Sequence, residues 1–193
     1  MDFTMPRKED KPDPNSEAGI KHYRDILRLR GLHTEETGEP LAELAQAVDD
    51  EIVDLRVTYQ NPALTFEPFY FFFYGSLQHP TVLKHVTRMR ERQEPVLKPG
   101  SIKEWEMMMW SQYPALVPKE GSEVKGMYWK CERIEDVSRL CMYETDAYRM
   151  EFCDITTEEG EVIKDGRIFV STFERGELRE GSFDLKRFMR DMP

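Results

Sequence analysis

Two stretches of the chain hold residues whose types and spacing could do chemistry. The first is Phe69-Tyr70-Phe71-Phe72-Phe73-Tyr74-Gly75-Ser76-Leu77, followed by Gln78-His79-Pro80-Thr81-Val82-Leu83. The uncharged aromatic run suits a strand buried on both faces. It stops at Gly75, which has backbone angles closed to other residues and lets a ligand approach the main chain. Pro80, with Val82, Leu83 and Val86 behind it, opens a helix. Strand, glycine loop and helix start together aim backbone N–H groups at one spot, where they can hold a carboxylate or an oxyanion. The same residues also read as a core strand ending in an ordinary turn.

The second stretch is Arg139-Leu140-Cys141-Met142-Tyr143-Glu144-Thr145-Asp146-Ala147-Tyr148-Arg149. Glu144 ends an apolar stripe of helical spacing (Ile134, Val137, Leu140, Cys141), so it stands near a helix C-terminus, where the backbone dipole opposes a negative charge. With Tyr143 and Tyr148 nearby, partial burial acts in the same direction. Both effects favour the neutral acid and raise its proton affinity, as a general base and acid working near neutrality requires. The plainer reading is a solvated glutamate at a helix end. Glu158, Glu159 and Glu161, clustered at a turn, are surface charges.

The elements that must position these residues follow from periodicity and punctuation. Residues 1–15 carry Pro6, Pro12 and Pro14 among charges and read as a disordered tail. Residues 16–66 read as a helical extension. Ser16 caps a first helix with Ile20, Tyr23, Ile26 and Leu27 on one face, ending near Gly31. Pro40 opens a second, with Leu41, Leu44, Ala45, Val48, Ile52 and Leu55 at helical spacing. Their apolar stripes either pack on the chain's own core or form a partner-binding arm.

After the helix at Pro80–Arg90 the pattern becomes β-rich. Pro99-Gly100 signals a turn, Ile102–Trp110 a strand, and Tyr113–Pro118 a bent, proline-bracketed segment. Glu120–Glu123 reads as a hairpin turn into a strand over Val124–Cys131. Beyond the helix ending at Glu144 come a strand over Tyr148–Thr156, a turn at Glu159-Gly160 and a tight hairpin at Asp165-Gly166 before Arg167–Phe173. Ser182 is placed to cap a last short helix with Phe183, Leu185 and Phe188. The methionines Met107, Met108 and Met109 suit either an apolar ligand surface, which with Trp105 and Trp110 would favour an apolar ligand, or a strand covered on both faces.

The totals exclude several classes. A formal net charge of −10 over 193 residues repels phosphate backbones and argues against nucleic acid as a partner. No apolar run reaches membrane-spanning length and the first residues lack a signal-peptide core, so a soluble, cytoplasmic protein with no membrane partner is expected. Three cysteines (Cys131, Cys141, Cys153) form no CxxC pair, and the four histidines (His22, His33, His79, His85) fit no ligand spacing. No disulfide framework and no metal is expected. Nothing here bears on oligomeric state.

Taken together, Phe73-Tyr74-Gly75-Ser76-Leu77, Pro80-x-Val82-Leu83, Tyr113-Pro114-Ala115-Leu116-Val117-Pro118, Val124-x-Gly126 and Leu140-x-x-Tyr143-Glu144-x-x-x-Tyr148-Arg149 occur in that order. The series resembles the gamma-glutamylcyclotransferase-like family, in particular the branch of plant avirulence-induced-gene proteins and their fungal and bacterial relatives. The resemblance runs from about Phe69 to about Phe188 and assigns residues 67–193 to one domain. It implies an α+β fold: a small mixed β-barrel flanked by helices, with one pocket at its mouth. It further implies that Tyr74, Gly75, Ser76 and Leu77 hold the glutamyl part of a small-molecule substrate, that Glu144 is the catalytic acid and base, and that Tyr113 and Tyr148 line the pocket.

The implied reaction is intramolecular acyl transfer that releases 5-oxoproline and a free amine, and it needs no cofactor. Many relatives carry an aspartate three residues before the glutamate and a glycine just after it, where this chain has Cys141 and Thr145. Two other functions stay open on the same residues: a lyase, cyclase or isomerase of a biosynthetic pathway using Glu144 on another ligand, and a non-catalytic ligand-binding or interaction protein.

Overall fold

A computed structural model describes residues 11–50 and 61–191, which divide into two compact units, Met1–Glu67 and Pro68–Pro193. In the first unit, helix α1 spans Glu17–Leu29. It is capped by Ser16, whose hydroxyl accepts from the Gly19 N–H at 3.0 Å. Two residues past its end Gly31 takes φ 73, the left-handed conformation that closes many helices. Strand β1 (Leu32–His33) pairs antiparallel with β2 (Thr65–Phe66), and helix α2 spans Gly38–Asp50. Tyr23 and Leu27 of α1 and Leu41 and Ala45 of α2 are buried, and the two helices pack together. Within the proposed tail, Pro12 and Asp13 accept hydrogen bonds from Tyr23 and Ser16. Residues 1–10, and Ile52 and Leu55 of the expected second helix, lie outside the described residues.

The second unit is built on a closed barrel. Its strands are β3 (Phe69–Phe73), β4 (Lys98–Trp110), β5 (Tyr113–Cys131), β6 (Tyr148–Thr157) and β7 (Val162–Ser171), in the order β3-β5-β4-β6-β7. The barrel is mixed because β3 closes on β7 in parallel, Phe71 facing Arg167, while every other pairing is antiparallel. Helix α3 spans Pro80–Thr87, α4 spans Ile134–Glu144 and α5 spans Leu185–Asp191. This is the α+β fold expected from the resemblance: a small mixed barrel flanked by helices.

The aromatic strand is at the centre because it is covered on both faces. Phe72 and Tyr74 point into a core with Ile102, Leu116, Ile155 and Ile168. Phe71 stacks between Phe73 and Phe169 at 5.7 and 5.4 Å on the other face. Burial of a phenylalanine is worth about 2–3 kcal/mol and each aromatic pair adds about 1 kcal/mol, so this strand contributes more per residue than the hydrogen bonds that hold it. Arg167 is buried between the Phe69 and Phe152 rings, its guanidinium carbon 4.4 Å from each centroid.

Three expected turns prove to be interruptions within strands. Pro99-Gly100 lies inside β4, where a Cβ on Gly100 would come 2.9 Å from the Thr156 carbonyl. The real β4–β5 turn is at Ser111 and Gln112, between paired Trp110 and Tyr113. The stretch Glu120–Glu123 lies within β5, in a bulge: Lys103 faces Glu123 but Trp105 faces Pro118, and the Gly121 N–H donates to the Glu104 carboxylate. Asp165-Gly166 is a second bulge, inside β7 opposite Cys153–Ile155. Tyr113–Pro118 is strand rather than bent connection, because the alternating Ala115 and Val117 pack against Met108 and Leu178. The helix after Pro80 stops three residues early, where Arg88 takes φ 53. The last helix begins at Leu185, and Asp184, not Ser182, accepts from the Arg187 N–H at 3.0 Å. Among the described residues no helix is long and apolar enough to cross a membrane.

Candidate active site

One end of the barrel opens into a cavity of about 490 Å³. The structure brings every expected site residue to it: Tyr74, Gly75, Ser76 and Leu77 from the segment after β3, Tyr113 from the start of β5, Glu144 from the end of α4, and Tyr148 from the start of β6. Local chemistry explains each placement. After Phe73 the chain leaves the sheet into a single 3-10 turn at Ser76–Gln78, and His79 caps α3 by accepting from the Thr81 N–H at 3.3 Å. Among the described residues the N–H groups of Gly75, Ser76 and Leu77 make no hydrogen bond, as the first donors of a helical turn do not. Gly75 is at φ −109, so no left-handed angle is demanded there. What the position requires is thinness: a Cβ would meet the Pro114 ring at 3.1 Å.

The walls are fixed by tyrosine hydroxyls. Tyr74 is buried, donates to the Phe169 carbonyl at 2.6 Å and takes a backbone hydrogen bond from Leu116, so it pins the end of β3 to two neighbouring strands. Tyr148 donates to the Pro114 carbonyl at 2.8 Å. The hydroxyls of Ser76 and Tyr143 share a hydrogen bond of 2.9 Å, which ties the glycine loop to the end of α4. Tyr113 stands at the rim, 40% exposed, with its ring 6.0 Å from that of Trp110.

Glu144 is half-buried and lines the cavity, and its carboxyl has no hydrogen-bond or ion-pair partner among the described residues. Burial pushes it up to about 8 from an ordinary 4.5, so the neutral acid is the favoured form near neutral pH. The nearby phenols respond in kind. Burial first, and then the Glu144 charge, holds Tyr74 and Tyr148 well above the usual range. Burial also raises Tyr143, against the hydrogen bond from Ser76. All three phenols therefore stay protonated at any pH the protein meets, and the carboxyl is the group that titrates.

Cys131 and Cys153 are poor nucleophiles. All three cysteines are buried and outside any disulfide, and burial pushes Cys131 up to about 12 and Cys153 higher still. No group of three or more His, Cys, Asp or Glu side chains able to hold a metal occurs among the described residues.

Trp110, Pro114, Phe183 and Phe188 also line the cavity. Sequence reasoning gave no such role to Pro114, Phe183 and Phe188; Pro114 was hidden because the hairpin turn was expected at Glu120–Glu123 and lies instead between Trp110 and Tyr113. Of the Trp105–Trp110 stretch only Trp110 reaches this cavity; Met108 and Met109 are core residues.

Residues 71–185 match the family described as gamma-glutamyl cyclotransferase, AIG2-like. The chain belongs to that family. Among solved structures, two Arabidopsis thaliana proteins determined in solution resemble it. One is 18% identical with a TM-score of 0.51, the match covering 65% of this chain and 83% of that one. The other is 15% identical with a TM-score of 0.51, covering 65% of this chain and 75% of the other. At such identities the likeness is one of fold. No curated protein sequence matches the chain.

Proposed function

We propose that this AIG2-like protein is a γ-glutamyl cyclotransferase that converts a γ-glutamyl amine or peptide into 5-oxoproline and a free amine. Membership of the family supports an enzyme of this general type. The observation that carries the specific reading is the unpartnered Glu144 carboxyl, held near 8 by burial, in the same cavity as the unpartnered N–H groups of Gly75–Leu77.

The chemistry follows from that pairing. The α-ammonium of a γ-glutamyl group must lose a proton before its nitrogen can attack. In the empty cavity the carboxyl favours its neutral form; an entering ammonium supplies the cation the site lacks and draws it toward carboxylate. The proton is then shared between groups of similar affinity, the condition under which general base catalysis is efficient. Glu144 takes the proton, the freed amine forms a bond to the γ-carbonyl carbon and closes a five-membered ring, and the loop N–H groups hold the oxyanion. Glu144 returns the proton to the departing nitrogen as its bond to that carbon breaks, and the second proton shed by the attacking nitrogen leaves with the amine, which departs as its ammonium ion. Because nucleophile and electrophile share one molecule, the site's task is to fold the substrate into a ring-closing pose, worth up to several kcal/mol of the barrier.

The test is 5-oxoproline release from a panel of γ-glutamyl amines, amino acids and peptides, with Glu144→Gln as the comparison. Turnover should fall by about two to four orders of magnitude, with circular dichroism and melting temperature near those of the wild type. A panel that yields no 5-oxoproline, or a Gln variant as active as the wild type, overturns the reading.

A further inference from the structure

Resting on the cyclotransferase reading, we propose that Arg139, which does not line the cavity, is a positioning residue for the reaction: it fixes the register of α4 on α3, and so the place of the Glu144 carboxyl relative to the Gly75–Leu77 loop. Two helices carry the two halves of the site. Helix α3 follows the loop, and α4 ends on Glu144. They pack together and are tied at two places. At the cavity, the Ser76 and Tyr143 hydroxyls share their hydrogen bond. At the far end of α3, Arg139 Nη1 donates to the Thr87 carbonyl at 3.0 Å and to the Asp136 carboxylate at 3.1 Å. The start of α3 thus lies beside the end of α4, and its end beside the middle of α4. The helices run antiparallel with a tie at each end.

The two ties differ in kind. Tyr143 is exposed, so the tie at the cavity competes with water. The far tie is buried. Thr87 is fully buried and its carbonyl lies in the last turn of α3, which stops where Arg88 turns left-handed. A carbonyl there has no donor within its own helix, and leaving it unpaired in the interior is costly. Asp136 is buried too, and Arg133 already holds it by two hydrogen bonds of 2.9 and 2.8 Å. What Arg139 adds is therefore the link to α3. The two protons of its Nη1 go to one acceptor each, so Asp136 orients the guanidinium and the guanidinium grips Thr87. Five residues at 1.5 Å per residue put Glu144 about 7.5 Å along α4 from Arg139. Over so short a rod, a slide at the far tie reaches the carboxyl nearly undiminished. A misplacement of about 1 Å at a reacting group can cost about a hundredfold in rate.

The carboxyl itself supplies a readout that needs no turnover. Its isotope-labelled carbon, assigned as the NMR signal that Glu144→Gln removes, can be titrated directly. Burial is what raises this group, so a displaced carboxyl shows a moved midpoint. In Arg139→Met, which keeps the apolar stem and gives up both bonds, the midpoint should move by about half a pH unit or more. Its kcat should fall about tenfold or more, with KM within about threefold of the wild type. Arg139→Lys keeps the charge but loses the planar guanidinium. It should move both quantities in the same direction by less, and it carries the test should Arg139→Met not fold. An unmoved midpoint or an unchanged kcat in the folded variants, with stability alone reduced, would make the tie purely structural and overturn the proposal. A wild type that releases no 5-oxoproline strikes the cyclotransferase reading instead, and the carboxyl titration still decides whether Arg139 holds Glu144 in place.

Discussion

The hydroxyl of Tyr143 shares a 2.9 Å hydrogen bond with that of Ser76, so the residue preceding Glu144 is tied to the glycine loop across 67 positions of chain. The pair sits at the cavity wall with Tyr143 38% exposed, so water can replace either partner. Its removal costs little in folding, about 0.5–1 kcal/mol, but frees the loop to shift relative to the acid. Tyr143→Phe should therefore change the urea midpoint slightly while lowering kcat about tenfold. Steady-state 5-oxoproline assays beside a urea titration read both. Full activity with a large loss of stability would show the bond to be structural only.

A carboxyl titrating near 8 leaves two pH signatures. In kcat/KM, which reports the free enzyme, the acid limb should rise with unit slope to a midpoint near 8, well above that of an ordinary glutamate. In stability the sign is opposite to that of a salt-bridged acid. Between 4.5 and about 8 the folded chain keeps a proton that the unfolded chain has released. Stability from this residue is therefore full below that window, falls as pH rises through it and is flat above. Glu144→Gln removes the dependence, so the variant should gain on the wild type by on the order of 3 kcal/mol between pH 4.5 and 8. Urea titrations at the two ends measure it, and parallel pH curves for both proteins would contradict a buried acid.

Much of this arrangement is legible in the sequence where the signal is local. Phe69–Phe73 reads as a strand because no residue in it can face water, and the end of α4 at Glu144 follows from the apolar spacing of Ile134, Val137, Leu140 and Cys141. What is not legible depends on partners distant in the chain. Gly121 and the Asp165-Gly166 pair carry turn chemistry, and a bulge asks for the same backbone angles as a turn: Gly121 is at φ 72 and Asp165 at φ 53. Only the opposing strand tells the two apart. The same holds for the site. Glu144 and the Tyr74–Leu77 loop can be paired by the order of the motif blocks. The apolar face of Phe183 and Phe188 gives no sign that it borders a cavity rather than the core.

Thr145 is strained at the place where the family resemblance leads one to expect glycine. It sits at the end of α4 with φ 58 and ψ −168, an angle pair that a β-branched residue adopts only when its surroundings impose it. Its N–H closes the helix on the Cys141 carbonyl, and Glu144 reaches the cavity despite the missing glycine. Thr145→Gly would relieve about 1–3 kcal/mol of strain and lose up to about 1 kcal/mol to the entropy of the unfolded chain. The net should be a stabilisation of about 1 kcal/mol, seen as a higher urea midpoint. A destabilised variant would mean that the Thr145 side chain holds the turn more than it strains it.

Two glycines near the site should answer differently to the same added methyl group. At Gly126 of β5 a Cβ would lie 2.2 Å from the Phe73 carbonyl and 2.7 Å from the Phe72 ring, both on β3, the paired strand that leads into the loop. Backbone cannot give way there, so Gly126→Ala should cost about 3 kcal/mol or more and leave little folded protein. At Gly75 the nearest atom is the Pro114 ring at 3.1 Å, which can move by a few tenths of an ångström. Gly75→Ala should therefore cost about 1 kcal/mol. Its effect belongs in activity, because Pro114 also accepts the Tyr148 hydrogen bond and a shifted ring moves the opposite wall of the cavity. Melting curves should rank Gly126→Ala far below Gly75→Ala, while the folded Gly75→Ala protein should lose about tenfold or more in kcat/KM. Equal stability losses would mean that the loop at Gly75 is as rigidly packed as the barrel, and that its thinness serves the fold and not the ligand.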